Sequence, residues 1–388
     1  MTKYYNIDDL RLLAKKRVPR AVFDYADGAS EDEITKNENR NAYLKWRLIP
    51  DVLVDVSEVD TKVNILGTDM PYPFALGPTA ISYLFHHAGE PAVARAAAKR
   101  GFPSTLSSIA TTNIEDYAKA ANGPVWFQMY IWKNRSISYD FVKRCKKSGY
   151  KAIMLTVDAP VGGKRERDLR TGMTVPPRLT LSSIIDAALH PSWWWNFIFG
   201  KRISFANVEN SLDGKKQKLT NIMTYINEQF DPSVTWEEAK EIASLWNGPF
   251  AIKGLMTADD AERAIEIGAS AIVISNHGGR QLDGAPAPLD VLPEISKRVN
   301  GRVEILIDGG IRRGSDIVKA VALGADACLI GRPWVYGLAA KGEKGVGIVV
   351  DVLASEVKRT LQLLGCKSIK DVKRRHIRLS KSFIENIE

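Results

Sequence analysis

Eight short apolar runs constrain the fold of this chain more than any other feature. They occupy residues 73–80, 102–107, 125–130, 152–158, 250–254, 271–276, 304–310 and 327–332. They are rich in Ile, Val, Leu and Phe and do not alternate with polar residues. A strand with one face in water would alternate, so these runs predict parallel strands buried on both faces. Helix-like segments at 90–100, 114–121, 138–148, 257–267 and 314–323 lie between them. Several of these end at a glycine, as Gly101, Gly149, Gly268 and Gly324 show, and Thr257 and Ser315 are candidate N-terminal caps. Repeated strand–helix units, eight in number, predict an α/β fold of the (β/α)8 barrel type, with a doubly wound sheet as the alternative. Residues 1–72 read as a helical and irregular lead-in, and 333–388 as closing helices.

One connection is anomalous. From Ala159 to Pro249 the chain is too long for an ordinary crossover, which predicts a long insertion after the fourth strand. It contains His190-Pro191-Ser192-Trp193-Trp194-Trp195-Asn196-Phe197-Ile198-Phe199-Gly200-Lys201-Arg202. Aromatic residues flanked by basic ones suit an interfacial membrane anchor. They equally suit a lid over the site or an oligomer contact. The loop or membrane-contact segment is placed at about 178–235 within a single domain of residues 1–388. No run of about 18 apolar residues exists to span a bilayer, and the first residues lack a signal-peptide pattern. The expected location is cytoplasmic, with any peripheral contact on the cytoplasmic face of the inner membrane. The three cysteines, Cys145, Cys328 and Cys366, are scattered and lack metal-ligand spacing, so neither a metal site nor a disulfide framework is expected. The net charge of +9 fits a solvated lysine-rich surface, an anionic membrane or an anionic ligand; no nucleic-acid-binding motif accompanies it.

In a (β/α)8 barrel the C-terminal strand ends converge on one face. Here they read Pro78-Thr79-Ala80, Leu106-Ser107-Ser108, Gln128-Met129-Tyr130, Thr156-Val157-Asp158, Lys253-Gly254, Ser275-Asn276-His277, Asp308-Gly309-Gly310 with Arg312, and Gly331-Arg332. Polar tips on all eight are hard to ascribe to packing. The last two predict a phosphate site, because glycines let backbone N–H groups approach an anion and arginine pairs with its oxygens. No glycine-rich dinucleotide fingerprint opens a helix after an early strand, so a mononucleotide cofactor fits better. His277 precedes two glycines and Arg280; Asp158 can hold its imidazole and stabilise the protonated form. Arg280 and Arg165 can grip a carboxylate.

Together these motifs, above all Ser275-Asn276-His277-Gly278-Gly279-Arg280-Gln281-Leu282-Asp283-Gly284, resemble the FMN-dependent L-2-hydroxy acid oxidases and dehydrogenases. The resemblance runs from Asp24-Tyr25 to the C-terminus and implies a TIM barrel binding FMN. It implies that His277 is the base and Asp158 its partner, and that Arg165, Arg280 and Tyr25 bind the substrate carboxylate while Tyr130 contacts the substrate hydroxyl. It places Pro78, Thr79, Ala80, Ser107, Gln128, Thr156, Lys253 and Ser275 about the flavin ring, and Asp308, Gly310, Arg312, Gly331 and Arg332 about the ribityl and phosphate. The implied activity is oxidation of an L-2-hydroxy acid, L-lactate favoured, with a quinone-type acceptor. The alternatives are a peroxide-forming oxidase using oxygen, a mandelate dehydrogenase and, more distantly, a non-catalytic flavin-binding barrel. The insertion is similar to that of membrane-associated bacterial L-lactate dehydrogenases, and the implied assembly is a homotetramer. Two positions depart from the patterns of these subfamilies. Ala80 stands where such dehydrogenases often carry glycine and oxidases carry alanine, and Val161 stands where many glycolate oxidases carry arginine.

Overall fold

The computed structural model describes residues 4–174, 178, 180–199, 203–208, 224–225 and 228–380. Three helices lead in: α1 (Ile7–Arg17), α2 (Arg20–Asp27) and α3 (Ile34–Leu44). Helix α1 starts where Asn6 accepts a hydrogen bond from the Asp9 N–H at 2.9 Å. Its acidic first turn (Asp8, Asp9) and basic last turn (Lys15, Lys16, Arg17) both oppose the helix dipole.

Eight parallel strands follow: β1 (Phe74–Leu76), β2 (Ser104–Ser107), β3 (Val125–Met129), β4 (Ala152–Thr156), β5 (Phe250–Leu255), β6 (Ala271–Ile274), β7 (Glu304–Ile307) and β8 (Ala327–Ile330). They close in the order β7-β8-β1-β2-β3-β4-β5-β6, a TIM barrel as expected and not an open doubly wound sheet. Helices α4 (Gly89–Ala98), α5 (Ile114–Ala121) and α6 (Arg135–Lys147) link the first four strands. Between β4 and β5 lie α7 (Glu166–Thr171), α8 (Leu181–Ala188), α9 (Pro191–Phe199) and α10 (Trp236–Trp246). After the last four strands come α11 (Ala258–Glu266), α12 (Pro288–Val299), α13 (Gly314–Ala322) and α14 (Arg332–Leu364), the last kinked where Gly342 takes a φ of 60°.

Strand β3 shows why the apolar runs lack polar alternation. Trp126 packs inside the barrel while Phe127 and Met129 pack outward on the helices, so the two-residue period is real but both faces are dry. The interior layer is built from alanines (Ala75, Ala152, Ala251, Ala271, Ala327) filled in by Trp126, Met154 and Leu329. A hairpin of Val63–Ile65 and Thr68–Met70 packs Ile65, Leu66 and Met70 against this layer. Its Thr68 hydroxyl accepts the Trp126 indole N–H at 3.2 Å. The hairpin therefore plugs the N-terminal end and leaves the C-terminal mouth as the open one.

Several expectations are corrected. Ser315 is not a cap: α13 begins at Gly314, and Asp316 accepts the Arg312 and Arg313 N–H groups instead, each at 3.0 Å. Helices α10 and α12 escaped the sequence reading; Pro293 sits inside α12 and breaks its helical pattern. The chain end is not helical throughout, because Ile377–Leu379 pairs antiparallel with Trp46–Leu48. Within the insertion, α8 is capped by Thr180, whose hydroxyl accepts the Ser183 N–H at 3.2 Å, and it is tied to the lead-in where the Arg20 N–H donates to Asp186 at 2.6 Å. Much of the stretch 200–227, including Gly200-Lys201-Arg202, lies outside the described residues.

Candidate active site

A cavity of about 790 Å³ opens at the C-terminal mouth of the barrel, within the roughly 300–1,000 Å³ typical of small-molecule sites. It gathers Tyr25, Pro78, Thr79, Ala80, Ser107, Gln128, Tyr130, Thr156, Arg165, Lys253, His277, Arg280, Asp308, Gly310, Arg312, Gly331 and Arg332. Of the expected site residues, Asp158 and Ser275 stand just behind this lining: Asp158 bonds to His277 and Ser275 to Lys253.

His277 follows β6 in a left-handed turn with φ 56°. Its N–H donates to the Ser275 hydroxyl at 3.1 Å, and its Nδ1 lies 2.9 Å from Asp158 Oδ1. A carboxylate accepts only, so Nδ1 carries a proton and Nε2 is left for the cavity. Burial opposes ionisation of Asp158, but the charges of His277 and Lys253 outweigh it and hold its pKa below the usual carboxylate value. Such a pair can take up a proton at Nε2 and stabilise the resulting imidazolium.

Lys253, from β5, is buried, and its ammonium bonds Ser275 at 2.7 Å and Asp308 at 3.0 Å. Burial works against its charge, yet Asp308 and Asp158 raise its pKa above the ordinary lysine value. A fixed positive charge thus stands on the cavity floor. Around it several buried polar atoms have no partner among the described residues: Thr79 Oγ1, Gln128 Nε2, Thr156 Oγ1 and Asp308 Oδ1. Ser107 donates to Gln128 Oε1 at 2.7 Å, which turns the free amide N–H₂ toward whatever fills the mouth. Orphaned donors and acceptors at buried positions call for a polar ligand. Their mix, on one floor beside a cation, fits an isoalloxazine ring with its N–H and carbonyl edge.

The far end suits a phosphate. Helix α14 starts at Arg332 on the cavity wall; Pro333 has no N–H and the Trp334 N–H is donated to the Gly331 carbonyl at 3.1 Å, which leaves the Arg332 N–H at the helix start for an anion. Gly309 and Gly310 have φ of 90° and 80°. A Cβ on Gly310 would lie 1.9 Å from the Asn39 carbonyl oxygen, so only glycine fits. The Arg312 guanidinium sits over the Tyr336 ring, 5.8 Å from its centroid, with Nη1 donating to the Ile311 carbonyl.

Two further arginines line the same cavity. Arg280 donates to the Tyr25 and Gly28 carbonyls at 2.7 and 3.1 Å and stacks over the Tyr25 ring at 5.1 Å. Arg165, the N-cap of α7, reaches the Arg280 carbonyl and Gln281, both at 3.4 Å. Burial, and then Arg165, lower the Arg280 pKa, so an incoming carboxylate would relieve two neighbouring cations. Tyr130 is buried, and burial followed by Asp158 raises its phenol pKa, keeping it a donor. Apolar walls, including Ile109, Phe205, Phe230 and Met173, complete the pocket; Phe230 meets Tyr130 edge-on at 5.0 Å.

The sequence reading missed three residues. Gln281 staples the loop after β4 by donating to the Asp158 and Val161 carbonyls at 3.3 and 2.8 Å. Asp168 is a buried acid on the cavity wall whose pKa burial raises, against the pull of Arg280 and Arg165. Asn39, in α3, exchanges amide hydrogen bonds with Asn276 at 2.8 and 2.7 Å. Asp168 lay in a charge-rich stretch, and Asn39 carried no local signal at all.

The chain matches the FMN-dependent dehydrogenase family over residues 14–379. It is 42% identical over 372 residues to a putative L-lactate dehydrogenase of Mycobacterium tuberculosis, covering 96% of this chain and 88% of that protein. It is 42% identical to an L-lactate oxidase of a Nostoc species, with 95% and 96% covered, and 40% identical to the (S)-mandelate dehydrogenase of Pseudomonas putida, with 94% and 91% covered. A crystal structure described as the monotopic membrane protein (S)-mandelate dehydrogenase superposes with a TM-score of 0.94 at 38% identity, covering 98% of this chain and 100% of that one. The chain therefore belongs to the FMN-dependent dehydrogenase family and is an FMN-dependent oxidoreductase of L-2-hydroxy acids.

Proposed function

We propose that the protein oxidises a small L-2-hydroxy acid with an uncharged side chain, L-lactate favoured, to the 2-keto acid and delivers the electrons to a quinone-type acceptor. The observation that carries this reading is the His277–Asp158 pair at 2.9 Å, facing the same cavity as two arginines and a tyrosine. FMN, when bound, supplies the two-electron acceptor.

The protein residues then have separable tasks. Arg165 and Arg280 bind the substrate carboxylate and, with Tyr25, fix the direction in which the single α hydrogen of L-lactate points. Tyr130 orients the hydroxyl. His277 Nε2 accepts the proton that must leave as C–O becomes C=O, and Asp158 stabilises the imidazolium. Lys253 and Gln128 hold the ring edge, with Pro78, Thr79, Ala80, Ser107, Thr156 and Ser275 around it. Asp308, Gly310, Arg312, Gly331 and Arg332 line the ribityl–phosphate end. The apolar walls at Ile109, Phe205 and Phe230 favour an uncharged substrate side chain.

A second reading is supported by Ala80. Oxidases of this kind carry alanine there, and an L-lactate oxidase is among the relatives. The decisive experiment uses the purified holoenzyme with L-lactate, L-mandelate and glycolate, each assayed with oxygen and with a soluble quinone. Quinone reduction without peroxide supports the dehydrogenase. Peroxide formed in step with substrate would replace it with the oxidase.

We also propose that α8 and α9 rest on a membrane surface, on the cytoplasmic side, and that the chain works as one domain in a homotetramer. Leu181, Ile184, Ile185, Leu189 and Trp195 are exposed on these helices and the turn between them, and such clustered apolar exposure suits a membrane contact. The described helices include none long and apolar enough to cross a membrane, so the contact is interfacial. The structural relative described as monotopic supports the same reading.

A further inference from the structure

Helix α2 ends at the cavity wall, and its last carbonyls lack partners within the helix, as at any helix C-terminus. Two guanidinium groups supply them. Arg280 Nη1 donates to the carbonyls of Tyr25 and Gly28. Arg332 donates through Nε to Ala26 at 3.1 Å and through Nη2 to Gly28 at 2.7 Å. The Gly28 carbonyl is thus shared by both arginines. The third Arg332 contact, from Nη1, reaches the Gly278 carbonyl at 2.8 Å, one residue beyond His277.

This makes Arg332 a bolt between three parts of the site. Its backbone begins α14 at the phosphate end, while its side chain closes the α2 terminus and the turn that carries His277. That turn is strained: His277 and Gly278 both have positive φ, 56° and 66°, and the carbonyl bond helps keep it in place. The fit is tight, because a Cβ on Gly278 would lie 2.7 Å from Arg332 Nη1. Arg312 differs. Its guanidinium donates to the neighbouring Ile311 carbonyl at 2.8 Å and lines the cavity.

We propose that the Arg332 side chain is a positioning residue for Arg280 and His277, acting on substrate binding, and that the cofactor phosphate is held instead by Arg312 and the backbone N–H at the start of α14. Removing the Arg332 fork strands the Ala26 and Gly278 carbonyls and leaves Gly28 to Arg280 alone. Arg280 then shifts toward α2 and away from the substrate carboxylate, and the His277 turn loosens. Lysine cannot replace it, since one ammonium does not reproduce three divergent N–H directions.

The inference rests on the hydroxy acid reading above, and the test separates the two. Arg332→Met, Arg332→Lys and Arg312→Lys are purified, and two quantities are measured for each. One is the Kd for FMN, from quenching of free flavin fluorescence. The other is the half-saturating concentration of L-lactate, L-mandelate or glycolate for anaerobic bleaching of the holoenzyme. The expected result for both Arg332 variants is an FMN Kd within about 3-fold of wild type and a half-saturation raised about 10-fold or more, a change of about 1.4 kcal/mol. Arg312→Lys shows the reverse pattern. The proposal is overturned if the Arg332 variants lose FMN affinity about 10-fold at unchanged half-saturation. It is equally overturned if the lysine variant changes both quantities alike or neither. Should the methionine variant fail to fold, by circular dichroism, the lysine variant decides alone. If no hydroxy acid bleaches the wild type, the functional reading fails, while the FMN titration still decides whether Arg332 is a phosphate ligand.

Discussion

Nearly every residue of the segment 275–284 has a task that its chemistry explains. Ser275 accepts from Lys253 and from the His277 N–H. Asn276 pairs with Asn39, and Asp283 accepts the Ile34 and Thr35 N–H groups at the start of α3. Gly279 has φ 75°, and a Cβ there would approach the Lys36 nitrogen to 2.6 Å. Gly279→Ala should therefore push α3 outward and cost more than about 1 kcal/mol, measurable as a lower urea midpoint and weaker FMN retention. Asp158→Asn keeps the shape of the His277 partner but removes its charge. It should lower kcat by roughly 10²–10⁴-fold with FMN still bound, read by steady-state turnover on flavin-saturated enzyme. His277, Arg280 and Asp158 were legible in the sequence because their types are costly at strand ends unless used. Asn39 and Gln281 were not, since their partners lie 237 and more than 100 residues away and a lone amide has no pattern.

Among the elements, α2 and α7 show how a helix end becomes part of a site. Beneath them Asp27 is buried and accepts Arg11 Nε at 2.6 Å, Arg167 at 3.2 Å and the Tyr336 hydroxyl at 2.8 Å. Arg167 also bonds Glu33 at 2.6 Å. The cluster locks α7, whose N-cap is Arg165, to α2, which carries Tyr25. Burial alone would raise the Asp27 carboxyl, but hydrogen bonds and charge from Arg11, with Lys36 and Tyr336, hold it well below its ordinary 3.8. A lowered folded-state pKa gives stability that is complete above the unfolded value and is lost as pH falls below it. Urea midpoints should therefore be insensitive to this group near neutrality and drop below about pH 4. Asp27→Asn should remove that acid-side drop and cost about 3–5 kcal/mol at neutral pH, because it leaves Arg11 and Arg167 without their buried counter-charge. A midpoint unchanged at neutral pH would contradict this. The barrel strands were legible from their unbroken apolar runs. Helix α12 was hidden by Pro293, and the pairing of Trp46–Leu48 with Ile377–Leu379 joins segments too distant for any local pattern to reveal.

For the whole molecule, the plugged N-terminal end and the open C-terminal mouth leave one direction of approach to the site, and the β4–β5 insertion flanks it. Trp193 is turned inward, its indole donating to the Leu84 carbonyl at 2.8 Å, whereas Trp195 is exposed. The aromatic cluster thus divides between a contact with the barrel mouth and an outward patch. If the patch meets lipid, replacing the exposed Leu181, Ile184, Ile185, Leu189 and Trp195 with serine should abolish flotation with anionic vesicles and leave reduction of a soluble dye within a few-fold. Unchanged flotation would reject the contact. The central claim is that His277, oriented by Asp158, takes the substrate proton while FMN takes the electrons. It is tested most directly by mixing wild-type and His277→Ala holoenzymes with L-lactate, L-mandelate and glycolate in the absence of oxygen and following the visible flavin absorption. The account predicts rapid bleaching of the wild type by at least one of these acids, and a rate at least about 10²-fold lower in the alanine variant with its FMN still bound. Bleaching of the variant at the wild-type rate would contradict it.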